Sequence, residues 1–485
     1  MLKMFFNINF NLIVFIIISS LLNSCQFDMT HSLFNTSNSE NILFFSENET
    51  SGFNNLNGNL QIGFAARTIV PINPTSLTGF GAPMRRLLPP DMTNIGNGAT
   101  YCKPYTSIDK QPRVKAMLIS GINNANKIGY YLLISYDVIA IPTDFNIKMM
   151  AQLKTTFPNL NLDQTNVQFV ATHTHSGSAG LTENPFWAAA VCDRFNPGLY
   201  NTVTATTLQT VGDAYTNLST PNAVDITNDQ ISGYNYSRFD GMQVDTNVYY
   251  MNFKDSGANS LGCFIAYSVH PTWYGIDDLV FSSDLAGYLE NELQSVTGSK
   301  TCIFFNSTVG NASAVPLGDK NTYATGFIQE VLNKKVVGST IPNQFQYGNL
   351  FIHLPNFKLN FAGCGLDIHG LPQSFIDAVF SVKSSSVTNN ITKIAWFNIK
   401  GTYFFLFPGE PLYDVKIDFQ TQLNKLFPGI QSYFFLSTSN DYIGYIMNSS
   451  NYTEKSMETC STLHGPDTSS VVITGFMNAL KAAGQ

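Results

Sequence analysis

Residues 167–177 read Val-Gln-Phe-Val-Ala-Thr-His-Thr-His-Ser-Gly and join an apolar run to two closely spaced histidines. The apolar run predicts a buried β-strand, along which side chains alternate between the two faces. We therefore expect His173 and His175 on one face at the strand end, followed by a sharp turn at Gly177. Two imidazoles on one face begin a metal site, although a strand end with two hydrogen-bonded histidines is the alternative for a bare His-x-His pattern.

Four further predicted strands run into polar residues capable of chemistry. They cover residues 264–269, 302–305, 402–407 and 433–436, and they lead to His270-Pro271-Thr272, Gly310-Asn311-Ala312-Ser313, Pro408-Gly409-Glu410 and Ser439-Asn440-Asp441-Tyr442. Because sites in α/β sheets form at the carboxyl ends of strands, we expect these endings and the first one to converge on one crevice.

Strands alternate with helical segments along most of the chain, which predicts an α/β fold with a mixed β-sheet flanked by helices in a single large domain. A hairpin is predicted from strands at 114–119 and 129–136, and helices are predicted over 146–156, 285–296, 323–334 and 413–426. The 485 residues are 44% hydrophobic and include 38 Phe and 22 Tyr, which suits a large core. The net charge of −7 and the lack of a basic run exclude nucleic acid as an expected partner.

The N-terminus has the pattern of a targeting segment. Lys3 precedes an apolar run over residues 10–18, and Leu22-Asn23-Ser24-Cys25 is similar to a bacterial lipobox. We expect residues 1–24 to be a lipoprotein signal peptide, residues 25–59 a flexible polar tether, and the folded domain to begin near residue 60. The protein is then exported and anchored to the membrane at the bacterial cell envelope through a lipid on Cys25. The alternative is an ordinary cleaved signal peptide and a secreted protein.

Six cysteines remain besides Cys25, which permits up to three disulfides in an exported protein. No Cys-x-x-Cys pair occurs, so a cysteine zinc site is not expected. Cys263 and Cys302 lie in apolar predicted strands, where buried thiols are the alternative.

Two neutral imidazoles and one carboxylate make a hydrolytic zinc site with an open position for water. His173 and His270 are the natural nitrogen ligands, and Glu410 is the natural oxygen ligand, unless it caps a helix starting near Tyr413. Zinc in such a site lowers the pKa of water to about 7 and polarises a carbonyl. Tyr442 is a candidate further ligand or oxyanion donor, with packing as its alternative role.

Three other residues are candidates for substrate binding or catalysis. His175 shares a face with His173 and would donate to an oxyanion or shuttle a proton. Arg238 would hold a polar group of the substrate, with a surface ion pair as the alternative. Ser313 has no general base beside it in the sequence, so the sequence alone does not make it a nucleophile.

Residues 60–480 resemble the neutral ceramidases, zinc amidases that hydrolyse N-acylsphingosine to sphingosine and a fatty acid. The resemblance rests on an ordered set of motifs, at residues 172–177, 269–272, 283–288, 310–313, 408–410 and 439–442. It implies that zinc (Zn²⁺) is held by His173, His270, Glu410 and Tyr442. It implies active-site roles for His175, Ser313, Arg238 and Tyr452. We expect the catalytic domain of the family without its C-terminal β-sandwich domain.

The resulting hypothesis is a lipid-anchored, monomeric zinc amidase in which a metal-activated water cleaves the amide bond of ceramide. One alternative is a zinc amidase or peptidase acting on another acylated amine. A second is a non-catalytic surface lipoprotein that keeps the fold for adhesion.

Overall fold

The computed structural model describes residues 43–80, 85–87, 90–94, 98–184, 187, 193–357, 390–452 and 456–485. The predicted signal peptide and the predicted lipid attachment site, Cys25, lie outside these residues. Within the described ranges, every helix is too short or too polar to span a lipid bilayer.

The strands, in chain order, are β1 (Gly52–Thr68), β2 (Ser107–Ile108), β3 (Arg113–Ile122), β4 (Ile128–Tyr136), β5 (Val167–Ala171), β6 (Ala223–Gln230), β7 (Asn235–Ser237), β8 (Asn247–Lys254), β9 (Ser260–Tyr267), β10 (Val280–Phe281), β11 (Cys302–Asn306), β12 (Ala312–Ala314), β13 (Val336–Ser339), β14 (Gln344–His353), β15 (Ile391–Ile399), β16 (Thr402–Leu406), β17 (Glu410–Pro411), β18 (Ser432–Leu436) and β19 (Tyr445–Ile446). The helices are α1 (Thr143–Thr156), α2 (Pro197–Thr216), α3 (Asp284–Thr297), α4 (Lys320–Asn333), α5 (Tyr413–Leu426), α6 (Met457–Cys460) and α7 (Thr468–Ala482). Short 3₁₀ turns cover Met92–Asn94 and Pro158–Leu160.

Two mixed sheets carry the fold. The larger has the strand order β18-β16-β15-β14-β1-β3-β4-β5, and the smaller has the order β11-β9-β8-β6-β13. The pairs β16–β18, β4–β5 and β9–β11 are parallel, and the other pairs within these two sheets are antiparallel. The mixed character of the predicted sheet is confirmed.

The two sheets face each other across a shared apolar core. Side chains from both meet there, including Phe64, Tyr131 and Phe397 of the larger sheet and Tyr249 and Phe264 of the smaller one. Helices α1 and α2 pack on one part of the outer face of the larger sheet, and α5 and α7 pack on the other. Helices α3 and α4 cover the outer face of the smaller sheet. The result is a four-layer α/β/β/α arrangement, in which each sheet buries both of its faces.

The predicted helix at 413–426 matches α5, and the other three predicted helices begin one to three residues late. Helix α2 was not predicted, because its sequence is rich in Thr, a weak helix former. Its start is nonetheless marked by Asn196, whose side chain accepts a hydrogen bond from the Leu199 amide, and by Pro197 in the first turn.

The first strand begins at Gly52, earlier than the expected start of order near residue 60. Residues 54–57 pair with residues 344–347 of β14, and Leu56 points into the shared core. Burial of this one leucine in an otherwise Asn-rich segment explains why the composition suggested a tether and the structure contains a strand.

Cys263 and Cys302 form a disulfide rather than the buried thiols that the sequence allowed. They lie opposite each other on the parallel neighbours β9 and β11, which brings their Cα atoms within 4.5 Å. Cys102 and Cys460 each take part in a disulfide as well. Disulfides are typical of proteins that fold in an oxidising compartment.

Candidate metal centre

The polar segments after β5, β9, β11 and β18 are tied together by hydrogen bonds at one edge of the fold. The side-chain amide of Asn306 donates to the carbonyl oxygens of Thr172 (3.2 Å) and Val269 (2.7 Å), the residues just before the two predicted histidine ligands. The Ser437 amide donates to the Asn306 carbonyl at 2.9 Å, and the Ala171 amide donates to the Thr438 carbonyl at 3.1 Å. The predicted convergence of these strand ends is therefore present.

His173 and His175 lie beyond the end of strand β5. Strand β5 ends at Ala171, and His173 adopts a left-handed backbone conformation with φ of 68°. Strand alternation thus does not place His173 and His175 on one face. A non-glycine residue at positive φ is held by its surroundings, and such conformations cluster at functional sites. A Cβ atom on Gly177 would lie 2.7 Å from the Asp137 carbonyl oxygen. The close approach of these two backbone segments therefore requires glycine at position 177.

Three side-chain atoms meet in a buried cluster. The Nε2 atoms of His173 and His270 are 3.1 Å apart, and they lie 3.2 Å and 3.4 Å from Oε2 of Glu410. All three residues are at most 1% exposed. The Nε2 atom of His175 lies 3.4 Å from that of His173, and the three histidines form a group of nitrogen atoms able to hold a metal ion.

The tautomers of two of these histidines follow from their outer contacts. Nδ1 of His173 lies 2.7 Å from the Ile139 carbonyl oxygen, and Nδ1 of His270 lies 2.9 Å from the Val309 carbonyl oxygen. A carbonyl oxygen only accepts, so each Nδ1 carries the proton and each Nε2 presents a lone pair to the cluster. Hydrogen bonds of this kind orient histidines that bind metals.

Glu410 is not the cap of a helix. It lies on β17, opposite Tyr445 of β19, while the first helical residue of α5, Tyr413, donates its amide to the side chain of Asn311 at 3.0 Å. Oε1 of Glu410 accepts a hydrogen bond from the Tyr442 hydroxyl at 2.5 Å. Oε2 is buried and receives no hydrogen bond from the described residues.

Electrostatics keep the cluster in the ionisation state that a cation needs. Burial, together with nearby Arg238, lowers the pKa of His270 to about 3. Burial and the two other histidines hold the pKa of His175 well below its usual range. Burial opposes ionisation of Glu410, but the neighbouring His173 and His270 hold its pKa well below the usual value. His175 and His270 are therefore neutral near neutral pH, and Glu410 is a carboxylate.

This donor set fits a zinc ion. Two nitrogen lone pairs and one carboxylate oxygen face one another with no proton between them, which is unfavourable unless a cation lies among them. Ligand atoms about 2.0–2.1 Å from zinc in a tetrahedral arrangement are about 3.3–3.4 Å apart, close to the separations in the cluster. His173, His270 and Glu410 would hold the ion, and the Tyr442 hydroxyl lies beside them on Glu410.

Arg238 directly follows β7 and lies against the cluster. It is therefore not part of a surface ion pair. Its Nη2 donates to the Gly310 carbonyl oxygen at 2.9 Å and to the Tyr445 hydroxyl at 2.5 Å, and its Nε donates to Glu458 at 3.0 Å. Nη2 also lies 3.4 Å from Nε2 of His270. Burial lowers the pKa of the guanidinium, but Tyr445 and Glu458 raise it by more, so the group stays charged.

Ser313 and Tyr452 are each linked to the cluster through a neighbouring residue. Ser313 is half-buried on β12, pairs with Tyr236 of β7 and forms a backbone bridge with His270. Tyr452 packs against a small apolar group that contains Tyr445 and Leu412. The roles expected of Ser313 and Tyr452 stay predictions.

Comparison with known proteins gives the same assignment as the motifs. Residues 104–330 match the family described as neutral/alkaline non-lysosomal ceramidase, N-terminal. The resemblance to the neutral ceramidases is confirmed. The sequence has no match among curated proteins.

Two solved ceramidase structures share the fold. The crystal structure of neutral ceramidase from Pseudomonas aeruginosa has a TM-score of 0.69 at 16% identity, over 88% of this chain and 75% of that one. A ceramidase complexed with C2 has a TM-score of 0.68 at 16% identity, over 88% of this chain and 76% of that one. At this identity the likeness establishes the ceramidase fold.

Sequence reasoning missed three residues of this ceramidase-like site. Tyr445 contacts Arg238, Glu458 anchors that arginine, and Asn306 links the backbones ahead of both histidines. Tyr445 lies three residues after Tyr442, and Asn306 directly follows a predicted strand. The sequence therefore indicated where both residues lie but not what they do. Glu458 belongs to α6, a helix of four residues that the sequence did not indicate.

Proposed function

We propose that this protein is a zinc-dependent amidohydrolase that cleaves the amide bond of N-acylsphingosine, releasing sphingosine and a fatty acid. The observation that carries the proposal is the buried meeting of His173 Nε2, His270 Nε2 and Glu410 Oε2 at 3.1–3.4 Å. The family match over residues 104–330 supports the ceramide substrate. The fold shared with two ceramidases supports it further.

His173, His270 and Glu410 hold the zinc ion in this proposal, and Tyr442 is the further ligand. Bound zinc supplies Lewis-acid polarisation of the amide carbonyl and a water of lowered pKa. Glu410 has two tasks, because one of its oxygens faces the histidines and the other accepts the Tyr442 hydroxyl. Tyr442 is thus oriented by the same carboxylate that balances the metal charge.

The remaining residues act on the substrate. His175, neutral and buried, donates from Nε2 to the amide oxygen as negative charge develops there. Arg238 stays charged and lies beside His270, where it binds a polar group of the substrate and adds positive potential. Ser313 binds a substrate hydroxyl from β12. Hydrolysis adds the hydroxyl of water to the acyl carbon and delivers a proton to the leaving nitrogen, which becomes the amine of sphingosine.

The proposal includes an exported monomer that a lipid on Cys25 holds at the membrane of the cell envelope. Cys25 follows Leu22-Asn23-Ser24, and the disulfide between Cys263 and Cys302 supports folding outside the cytoplasm. Such an anchor keeps the enzyme at the surface where an N-acyl lipid resides.

A substrate panel tests this function. The full chain, loaded with zinc in detergent, is incubated with a fluorescent N-acylsphingosine and with short N-acyl peptides, beside the His173→Ala variant. We expect release of the fatty acid from N-acylsphingosine alone and no release by the variant. Cleavage of the peptides without cleavage of ceramide would replace the proposed substrate. Equal activity of His173→Ala would refute the metal site.

A further inference from the structure

His175 lacks the outer hydrogen bond that orients the other two histidines of the cluster. His173 and His270 each donate from Nδ1 to a backbone carbonyl. Nδ1 of His175 is buried and has no hydrogen-bond partner among the described residues. Some other contact must hold this ring in place.

Gly79 and Phe80 cover the ring on the side away from the metal ligands. A Cβ on Gly79 would lie 2.5 Å from Cγ and 2.6 Å from Nδ1 of His175, so the glycine backbone lies directly against the Nδ1 edge. The φ of Gly79 is 102°, a conformation that also favours glycine. The Phe80 ring packs on the imidazole edge to face, with centroids 4.7 Å apart and an interplanar angle of 62°.

Arg85 fixes both the ring and the backbone of this arrangement. It is 2% exposed, and its guanidinium carbon lies 4.8 Å from the centre of the Phe80 ring. Its Nη1 donates to the carbonyl oxygen of His175 itself at 3.2 Å. Its other donors reach carbonyl oxygens of the loop after His270, namely those of Gly275 (3.0 Å), Ile276 (2.9 Å) and Asp278 (3.0 Å). A planar guanidinium with five donors suits this multiple attachment, and a lysine ammonium does not.

We propose that Gly79, Phe80 and Arg85 are positioning residues that hold His175 as the Nε2–H tautomer. Because no carbonyl accepts at Nδ1 and the Gly79 backbone covers that edge, the proton of the neutral ring lies on Nε2. The ring then points a donor, and not a lone pair, at the cluster. This makes His175 a hydrogen-bond donor to substrate, in contrast to its two ligand-forming neighbours.

This inference deepens the proposed function and rests on it for its effect on catalysis. The tautomer of His175 does not depend on the proposed function, because it is a property of the protein alone. The two readouts of the test are therefore a spectrum and a rate.

The spectrum is ¹⁵N NMR of the full chain labelled at its seven histidines. The pattern of ring-nitrogen shifts and couplings distinguishes the two neutral tautomers, and His175→Gln assigns the signal. We expect Nε2–H for His175 in the wild type and Nδ1–H for His173 and His270. In Phe80→Leu and Arg85→Lys, the His175 signal should move while those of His173 and His270 stay. A wild-type His175 protonated on Nδ1, or a His175 signal unchanged in both variants, would overturn the proposal.

The rate is measured on the same variants with fluorescent N-acylsphingosine. We expect Phe80→Leu to lower kcat by about 10-fold to 100-fold, with the zinc content and KM close to those of the wild type. In a His175→Gln background the same change should have no further effect, because its target is gone. Phe357→Leu is the matched control, since Phe357 packs edge to face on His464, outside the cluster, with centroids 6.1 Å apart.

The outcomes separate the two proposals. A full additional loss from Phe80→Leu in the His175→Gln background would contradict the positioning role. A wild-type protein with the expected tautomers and no amidase activity would refute the proposed function and leave the positioning of His175 standing.

Discussion

At the scale of single residues, Glu410 is the side chain on which the metal site depends most. Its Oε2 atom is buried, faces two nitrogen lone pairs and receives no hydrogen bond from the described residues. Such an arrangement is costly in an empty site and favourable around a cation. In the proposed function, this carboxylate therefore contributes to activity through its charge as well as its shape.

Glu410→Gln should abolish zinc binding, since the amide has nearly the same shape but no charge. Loss of outer partners of a metal site costs about 10-fold to 100-fold in affinity or activity, and loss of a ligand should cost more. Metal content and ceramide hydrolysis measure the effect. Glu330→Gln is the matched control, because Glu330 also accepts a tyrosine hydroxyl, that of Tyr234, but lies outside the cluster. Full zinc occupancy in Glu410→Gln would contradict the assignment.

His270 should make the stability of the metal-free protein depend on pH. Its folded-state pKa of about 3 lies below the value of about 6.5 expected in the unfolded chain. The unfolded chain therefore takes up the proton first. The contribution of this group to stability is complete above pH 6.5 and is lost as the pH falls towards 3.

Between pH 7 and pH 5 this loss amounts to about 2 kcal/mol in the free energy of unfolding. Urea unfolding in the presence of chelator measures it. His270→Gln should flatten the dependence by that amount, whereas His353→Gln, at an exposed histidine, should not. Parallel pH profiles for wild type and His270→Gln would show that the buried imidazole is not the cause.

Arg238 should not tolerate exchange for lysine. Its three donor contacts, to Glu458, Gly310 and Tyr445, use the geometry of the guanidinium. We expect Arg238→Lys to lower kcat/KM by about 10-fold to 100-fold while zinc remains bound. Arg67→Lys, in an exposed ion pair with Asp213, is the control and should have little effect. Unchanged kinetics of Arg238→Lys would exclude a role for this side chain in catalysis or binding.

At the scale of secondary-structure elements, the parallel pair β9–β11 leads to His270 from one strand and to Ser313 from the other. The disulfide between Cys263 and Cys302 crosslinks these strands near their starts, across 39 residues of chain. A closed loop of this length restricts the unfolded chain by about 4 kcal/mol in the chain-entropy model.

Replacing both cysteines by alanine should therefore lower the free energy of unfolding by about 2–5 kcal/mol. Denaturant unfolding of the full chain measures the loss. The metal site should survive at low temperature, because it lies at the opposite ends of the strands. An unfolding free energy equal to that of the wild type would show that the crosslink is not a source of stability.

The elements also show where sequence patterns suffice. Strand β5 and helix α5 have the predicted bounds because their apolar residues repeat with the period of a buried strand and of an amphipathic helix. Helix α7 did not emerge from the sequence, since the run Val471-Val472-Ile473-Thr474 is β-branched and favours a strand. Packing of Val472, Phe476 and Leu480 on the larger sheet decides in favour of the helix.

At the scale of the whole molecule, the sequence predicted a layered α/β fold but not its second sheet. Periodicity shows which face of a strand is buried and not which sheet the strand joins. Phe264 and Phe404 are both apolar strand residues in sequence, yet they meet across the interface of two sheets, with ring centroids 5.8 Å apart. Such pairing is a long-range property of packing.

The sequence predicted more of the candidate site than of the fold, because the residues of the site come in short motifs at strand ends. His173, His270, Glu410 and Tyr442 come together as the motifs implied. The left-handed turn at His173 was not predictable, because it depends on contacts of the folded chain. Glu458, Phe80 and Arg85 were missed for the same reason, since each acts through a contact with a residue distant in sequence.

The most direct test of the account is a zinc titration of the metal-free full chain, followed by both metal content and hydrolysis of fluorescent N-acylsphingosine. We expect one tightly bound zinc per chain and activity that rises in proportion to occupancy, with neither in Glu410→Gln. Ceramide hydrolysis by the metal-free protein, or one bound zinc without hydrolysis of any amide, would contradict it.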